Sequence, residues 1–477
     1  MAAPDGPLVV GVDSSTQSTK ALVVDAATGT VVARGQAPHV VTAEGDSDPE
    51  QWWQALGEAL DQCGPVVREA AAVSVAGQQH GLVTLDADGL PVRNALLWND
   101  TRSAPQRDRL VEELGGAAWW AERTGSVPAT SFTATKWAWL REHEPRAAAA
   151  TRAVRLPHDY LTGRLTGQGV SGGTTDRGDA SGSGWWSSAN ESYDAEILAH
   201  IGLDPAALPR VVAAGEPAGT VRSGLPLPEG ILVAGGTGDN MAGALGLGLA
   251  PGQPVLSLGT SGTVYAVSER RPADGSGVVA GFADAGRHWL PLACTLNCTV
   301  AVDRFAALLG REREEVESGG EAVVLPFLDG ERTPDLPYAS GLLTGLRHDT
   351  SGGQVLQAAY DGAVFALLEA LDRVLDEDAD PAAPILLIGG GARGVAWRET
   401  VRRLSGRPVV VPRAQELVAL GAAAQAAGLL LSREAAAVAR EWDTAQGPAY
   451  AAVERDEAAL ERLSATLRDA GPLLGRP

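Results

Sequence analysis

Two stretches of the chain share one uncommon pattern: an apolar strand, a tight turn of hydroxyl residues, and a second apolar strand. The first is LVVGVDSSTQSTKALVVDA, residues 8–26, turning at Ser14-Ser15-Thr16-Gln17-Ser18. The second is QPVLSLGTSGTVYAVSE, residues 253–269, turning at Gly259-Thr260-Ser261-Gly262. Each opens a longer α/β succession. After the first come a hairpin signal at Thr28-Gly29, a third strand, a helical spacing over 49–70 behind Asp48-Pro49, and the strand AAVSVAGQ. After the second come the strands VVAGFAD and HWLPLAC, a helix over 354–376, the buried strand PILLIG, a Gly389-Gly390-Gly391 turn, a helix from Trp397, the strand PVVVP and a helix from Glu416. The repeated grammar predicts two α/β domains, residues 1–248 and 249–477, dividing between Ala244 and Pro254. Residues 168–190 read as an ordered insertion loop, since they spend Trp185 and Trp186, and 452–470 as a surface helix.

A length of 477 residues suits two domains. Lys+Arg 38 against Asp+Glu 59 gives a net charge of −21, which argues against nucleic acid or an anionic membrane as partner. It leaves small phosphates open, because glycine-rich turns and helix N-termini hold them without net positive charge. The three cysteines, Cys63, Cys294 and Cys298, make no disulfide framework and fit a reducing cytoplasm; Cys294 and Cys298 read as core rather than as a metal pair. The opening MAAPDGPLVVGVD lacks the basic segment of a signal peptide, and the longest apolar run, Leu417 to Leu431, is interrupted by Gln425 and glycines, so no membrane span is expected.

Three places could carry chemistry. Asp13 ends a buried strand just before the first hydroxyl turn, so its carboxylate could hold Mg2+ through water while the turn offers N–H and O–H groups to an anion; a plain polar hairpin is the ordinary alternative. Gly235-Gly236-Thr237-Gly238-Asp239-Asn240 joins a strand to a helix, and Asp239 could be a general base or merely a helix cap. Gln78-Gln79-His80-Gly81 and Leu97-Trp98-Asn99-Asp100 both follow strands and offer the amides, imidazole, indole and carboxylate that a polyhydroxylated ligand requires, although a lone histidine there is more often structural. Gly389 to Gly394 fits G-x-G-x-x-G, but so does Gly167 to Gly172 inside a loop, and neither stands in the first βα unit where a dinucleotide fingerprint belongs. There is no P-loop, no HExxH and no G-x-S-x-G.

Taken together, these turns resemble those of the actin-like ATPase superfamily, and within it the chain is similar to the FGGY carbohydrate kinases from about Val9 to about Gly428. Two signatures carry the resemblance: Ser131-Phe-Thr-Ala-Thr-Lys136-Trp137-Ala-Trp139-Leu140-Arg-Glu142-His143, and Gly341-Leu-Leu-Thr-Gly345-Leu346 followed by Gln354-Val355 and Ala358-Ala359-Tyr360-Asp361. The resemblance implies two ribonuclease-H-like domains flanking a central cleft, and ATP with Mg2+ as cofactors. Its implied roles are Asp239 as general base, Asp13 and Asp239 at the metal, and Gln79, His80, Trp98, Asp100 and Asn240 at the sugar. Phosphates would lie at Thr16, Gln17, Gly259 and Thr260, and adenosine near Gly390, Gly391 and Ala392. It implies phosphorylation of D-xylulose to D-xylulose 5-phosphate, because Gly77-Gln78-Gln79-His80-Gly81 resembles the G-Q-M-H-G of the xylulose-phosphorylating branch with Gln79 in place of Met, and the Arg-Glu pair of glycerol kinases is absent. Ser15 stands where the family usually has glycine. Another ketose or polyol as acceptor, or a non-catalytic actin-like nucleotide-binding protein, are the competing readings. A small-molecule sugar and ATP are the implied partners, without nucleic acid or membrane, and a homodimer is left open.

Overall fold

The structure is a computed structural model that describes residues 5–42, 45–377 and 379–475; the first four residues, on which the signal-peptide reading partly rests, lie outside that range. Two seven-stranded sheets organise it. In the first, the order across the sheet is Pro217–Thr220, Leu232–Ala234, Ala70–Gly77, Leu8–Ser14, Ser18–Asp25, Val31–Pro38, with Thr237–Gly238 also paired to Ala70–Gly77. In the second it is Ala449–Tyr450, Val409–Val410, Ile385–Ile388, Val255–Leu258, Gly262–Tyr265, Trp289–Thr295, Ala280–Ala283. Six positions correspond one for one. In both sheets the opening strand is antiparallel to its hairpin partner and parallel to the strand on its other side. The duplicated grammar of the sequence is thus a duplicated sheet centre, while the order in which the chain visits the outer strands differs between the two.

Parallel pairing is what assembles the functional edge. Parallel neighbours end on the same side of a sheet, and ligands of open α/β sheets bind beyond the carboxyl ends of such strands. Asp13 and Ser14 are in register with Ala76 and Gly77, so Gln78-Gln79-His80 emerges beside the first hydroxyl turn. Thr237 and Gly238 are in register with Ala76 and Gly77 as well, which delivers Asp239 to the same edge. In the second sheet Ser257 is in register with Ile388, which places Gly389 to Ala392 beside the turn at Gly259 and Thr260.

All strands of the first sheet precede Asp239 and all strands of the second follow Pro254, yet the helix Leu417–Leu431 packs on the first sheet, against Leu8–Ser14 and Ala70–Gly77, and on the helix Asp239–Gly246. Its small residues make that approach feasible. A Cβ on Gly421 would lie 1.8 Å from the Ala242 carbonyl oxygen, and one on Gly11 would lie 2.0 Å from that of Ala419. The apolar run of the sequence is therefore a buried interdomain helix, and among the described residues no helix is long and apolar enough to cross a membrane. Its one polar interior residue, Gln425, bolts it to the first sheet: Ser74 Oγ donates to Gln425 Oε1 at 2.6 Å, and Gln425 Nε2 donates to the Gly236 carbonyl at 3.0 Å. Ser74→Ala is expected to cost ~1 kcal/mol, the net worth of a typical intramolecular hydrogen bond, and to lower the urea midpoint without changing the slope of the transition.

Two expectations need correcting. The helix expected over 49–70 stops at Gln62; Gly64 turns the chain in a left-handed conformation and a short 3-10 turn, Pro65–Glu69, follows. Residues 168–190 are ordered, as expected, but they are no insertion loop. They form the strand Thr174–Asp176, the helix Arg177–Ser181 and the strand Trp186–Ser187, with Trp185 and Trp186 buried.

Candidate active site

At the first hydroxyl turn Asp13 is buried, with Ser15 Oγ donating to its Oδ1 at 2.8 Å and Lys20 Nζ 3.9 Å from Oδ2. Burial pushes its carboxyl up to about 6, against the Ser15 hydroxyl and the Lys20 charge. Ser15 does not take a left-handed backbone, so this turn does not require the usual glycine, and the added hydroxyl is used on Asp13. Lys20 also donates to Glu416 Oε2 at 2.6 Å, tying the hairpin to the segment that enters the helix Leu417–Leu431. Thr16 accepts a hydrogen bond from Trp98 Nε1 at 2.9 Å, and Gln17 is exposed, its carbonyl accepting from the His39 N–H at 3.0 Å.

Asp239 is the first residue of the helix Asp239–Gly246; the capping position is Gly238. Its Oδ1 accepts from the Asn240 N–H at 2.9 Å. Burial, then the carboxylates of Asp13 and Asp179, push its carboxyl up to about 7. Asn240 Nδ2 in turn donates to Gln79 Oε1 at 2.7 Å.

His80 holds a left-handed backbone, φ 66, and its Nδ1–H donates to the Gly182 carbonyl at 2.7 Å. The ring stacks on Phe132 at 4.9 Å and lies 5.7 Å from Phe282 of the second sheet. Burial and the neighbouring Lys136 push its pKa down to about 3, so the imidazole is neutral and Nε2 keeps its lone pair as an acceptor.

Gln79, His80, Asp239 and Asn240 thus converge beside Asp13. Two further expected sugar contacts have partners within the chain. Trp98 is half exposed and reaches the first turn, and Asp100 is buried in an ion pair with Arg102, Nε to Oδ2 2.7 Å. In the second half Thr299 Oγ1 donates to the Gly259 carbonyl at 2.8 Å, Thr260 is exposed, Gly391 and Ala392 are buried against that turn, and a Cβ on Gly390 would meet open space.

Sequence reasoning assigned no role to a buried cluster behind these residues. His158 Nδ1 lies 2.7 Å from Asp179 Oδ2, and its Nε2 lies 3.2 Å from Asp159 Oδ1 and 4.0 Å from Asp176 Oδ1. Burial alone would push His158 down; the three carboxylates outweigh it and hold it up at about 9. The available signal was the adjacent His158-Asp159 at the start of a helix-like segment behind Pro157, and two aspartates three apart in Asp176-Arg-Gly-Asp179. Lys136, within the 131–143 signature, is fully buried, donates to the Ser131 carbonyl and is pushed down to about 7 by burial.

Asp13 and Asp239 fit a Mg2+ ion by their chemistry: both carboxyls are raised, which marks negative charge short of compensation, and Mg2+ takes one or two carboxylates while keeping water and phosphate ligands. No cluster of three or more His, Cys, Asp or Glu able to hold a metal occurs among the described residues.

Residues 8–246 match the FGGY family of carbohydrate kinases, N-terminal domain, and residues 255–429 match its C-terminal domain. The chain is 73% identical over 480 residues to the xylulose kinase of Streptomyces rubiginosus, covering 100% of this chain and 99% of the other, and 32% identical to that of Escherichia coli over 84% and 85% of the two. The crystal structure of the xylulose kinase from Bifidobacterium adolescentis is similar with a TM-score of 0.86 at 35% identity, over 97% of this chain and 99% of that one. Both family domains are matched in order, one on each sheet, and the likeness to curated relatives runs the full length, so the chain belongs to the FGGY family of carbohydrate kinases.

Proposed function

We propose that this carbohydrate kinase transfers the terminal phosphoryl group of ATP to D-xylulose, giving D-xylulose 5-phosphate. The observation that carries the site is Asp239: a carboxyl raised to about 7, set between the sugar-type residues Gln79, His80 and Asn240 and the Asp13 turn. The choice of sugar is supported by relatives named as xylulose kinases at 72–73% identity. Phosphoryl transfer needs little covalent work from a protein; it needs alignment and neutralised charge. In this reading Asp239 accepts the proton of the attacking hydroxyl, and a pKa near neutrality suits a group that must be ionised before transfer and protonated after it. His80 Nε2 accepts from a sugar hydroxyl and Asn240 supplies a further polar contact. Thr16, Gln17, Gly259 and Thr260 receive phosphate oxygens, and Gly390 to Ala392 line adenosine, where the absence of a side chain at Gly390 leaves room. Mg2+, held by Asp13 and Asp239, supplies positive charge at the phosphates. A cytoplasmic location belongs to the same reading, supported by three cysteines that are all free thiols.

A panel of ketoses, aldoses and polyols tests the assignment. D-Xylulose is expected to give the highest kcat/KM. A higher value for glycerol or D-ribulose overturns the choice of sugar, and no phosphorylation of any member overturns the reading as a whole.

A further inference from the structure

Two residues before Asp239, the Thr237 hydroxyl donates to Asp176 Oδ2 at 2.7 Å, and both side chains are buried. Gly178 makes room for the contact: a Cβ there would stand 2.7 Å from Asp176 Oδ2 and 2.8 Å from Thr237 Oγ1, and would push the two apart. Three holds bear on the turn that presents Asp239. Thr237 and Gly238 pair with Ala76 and Gly77, Gln425 Nε2 donates to the Gly236 carbonyl, and Thr237 bonds Asp176. The first two fix the turn to its own sheet and to the helix packed on that sheet. The third relates it to a different segment, the one that holds His80.

Asp176 accepts the Gly178 and Asp179 N–H groups at 3.0 and 2.9 Å, and so caps the short helix Arg177–Ser181, which ends at Gly182. The Gly182 carbonyl is the acceptor that holds the His80 ring, 2.7 Å from Nδ1. This segment is also anchored from outside. Ser181 Oγ accepts from the Ala283 N–H at 2.9 Å, and Arg177 Nη1 donates to the His288 carbonyl at 2.6 Å, both in the outer hairpin of the second sheet. One carboxylate therefore grips the turn that carries the base and the start of the segment that orients the imidazole. We infer that Asp176 and Thr237 are positioning residues that set where Asp239 stands relative to His80, and so relative to the attacking hydroxyl of a sugar held there. Proton transfer depends closely on such placement, and a shift of about 1 Å can cost ~10²-fold in rate.

The inference rests on the reading of Asp239 as the general base, and steady-state kinetics of the full-length enzyme with D-xylulose and ATP test the two separately. Thr237→Val nearly keeps the shape of the side chain and leaves Asp176 its two backbone donors, so the cap and the His80 anchor stay in place. It is expected to lower kcat by ~10–100-fold, with the sugar KM within about twofold of the parent. Thr237→Ser keeps the hydroxyl and should recover most of that loss. In an Asp239→Asn background Thr237→Val should change kcat by less than about twofold, because no base is left to misplace. A bond that only stabilises the fold predicts a lower urea midpoint with the kcat of the folded enzyme near that of the parent. That result overturns the inference. So does a serine variant as slow as the valine variant, or a valine penalty that multiplies in full with that of Asp239→Asn. Thr237→Ala, which removes bulk as well as the hydroxyl, is read by the same criteria if the valine variant does not fold. If Asp239→Asn by itself leaves kcat near that of the parent, the reading of the base fails and the inference with it. If it lowers kcat while Thr237→Val does not, the positioning role alone fails.

Discussion

Replacing Asp239 by asparagine is expected to leave a folded, sugar-binding protein whose kcat is lower by ~10²–10⁴-fold, the contribution of a positioned general base. Asparagine keeps the size of the side chain and an oxygen for the Asn240 N–H, which Asp239 Oδ1 accepts at 2.9 Å, but it cannot take the proton of the attacking hydroxyl. No sugar concentration should rescue it. The parent enzyme should also show an acidic limb in kcat/KM, because the base must be ionised, with its midpoint below the about 7 of the metal-free carboxyl, since the Mg2+ that Asp239 would hold favours the carboxylate. Stability supplies an independent readout. The pKa of Asp239 is raised in the folded chain, so its stabilising contribution is complete below the ordinary 3.8 and is lost as pH rises through about 7. In Mg2+-free buffer the variant should therefore gain thermal stability relative to the parent between pH 4 and pH 8. Turnover within about threefold of the parent, well short of the general-base factor, would sink the assignment.

His80→Ala is expected to lower kcat/KM for the sugar by ~1–3 kcal/mol, roughly 5- to 150-fold, while the ATP KM stays unchanged. Part of any loss could come from backbone strain, since residue 80 sits at φ 66, where alanine is disfavoured. His80→Asn controls for this, because asparagine tolerates the left-handed region but is too short to put an acceptor where Nε2 stands. Equal losses in the two variants assign the effect to the imidazole. Recovery in His80→Asn assigns it to the backbone and removes the ring from the sugar site. With its pKa held at about 3, His80 stays neutral from pH 5 to 9, so its contribution to sugar binding should not vary across that range.

Local pattern was enough to read both hairpins, because each hydroxyl turn and its flanking strands form one contiguous segment whose register the turn itself imposes. The same holds for the duplicated order of elements and for the separate turns at Asp13, His80, Asp239, Gly259 and Gly390, each a short stretch with a recognisable reason for its residues. Spacing along the chain could not say which of these turns meet. Asp13, His80 and Asp239 are separated by more than 60 residues at each step, and only parallel strand pairing puts them on one edge. Nor could spacing give the partners of Trp98 and Asp100, which the fold supplies as Thr16 and Arg102.

What the sequence determined by itself is therefore the kind of protein: two α/β halves with phosphate-type turns, a carboxylate at the head of a helix, and a net charge that argues against a polyanionic partner. Tertiary structure alone decided three things. It placed the helix Leu417–Leu431 on the sheet of the other half, because only contact with Gly11, Ala242 and Gly246 buries its small-residue surface. It gave Asp239 its raised pKa, because burial and the charges of Asp13 and Asp179 come from strands and helices remote in sequence. It also set His158 among three aspartates behind the site, because a buried charge is tolerated only where the fold supplies its counter-charges.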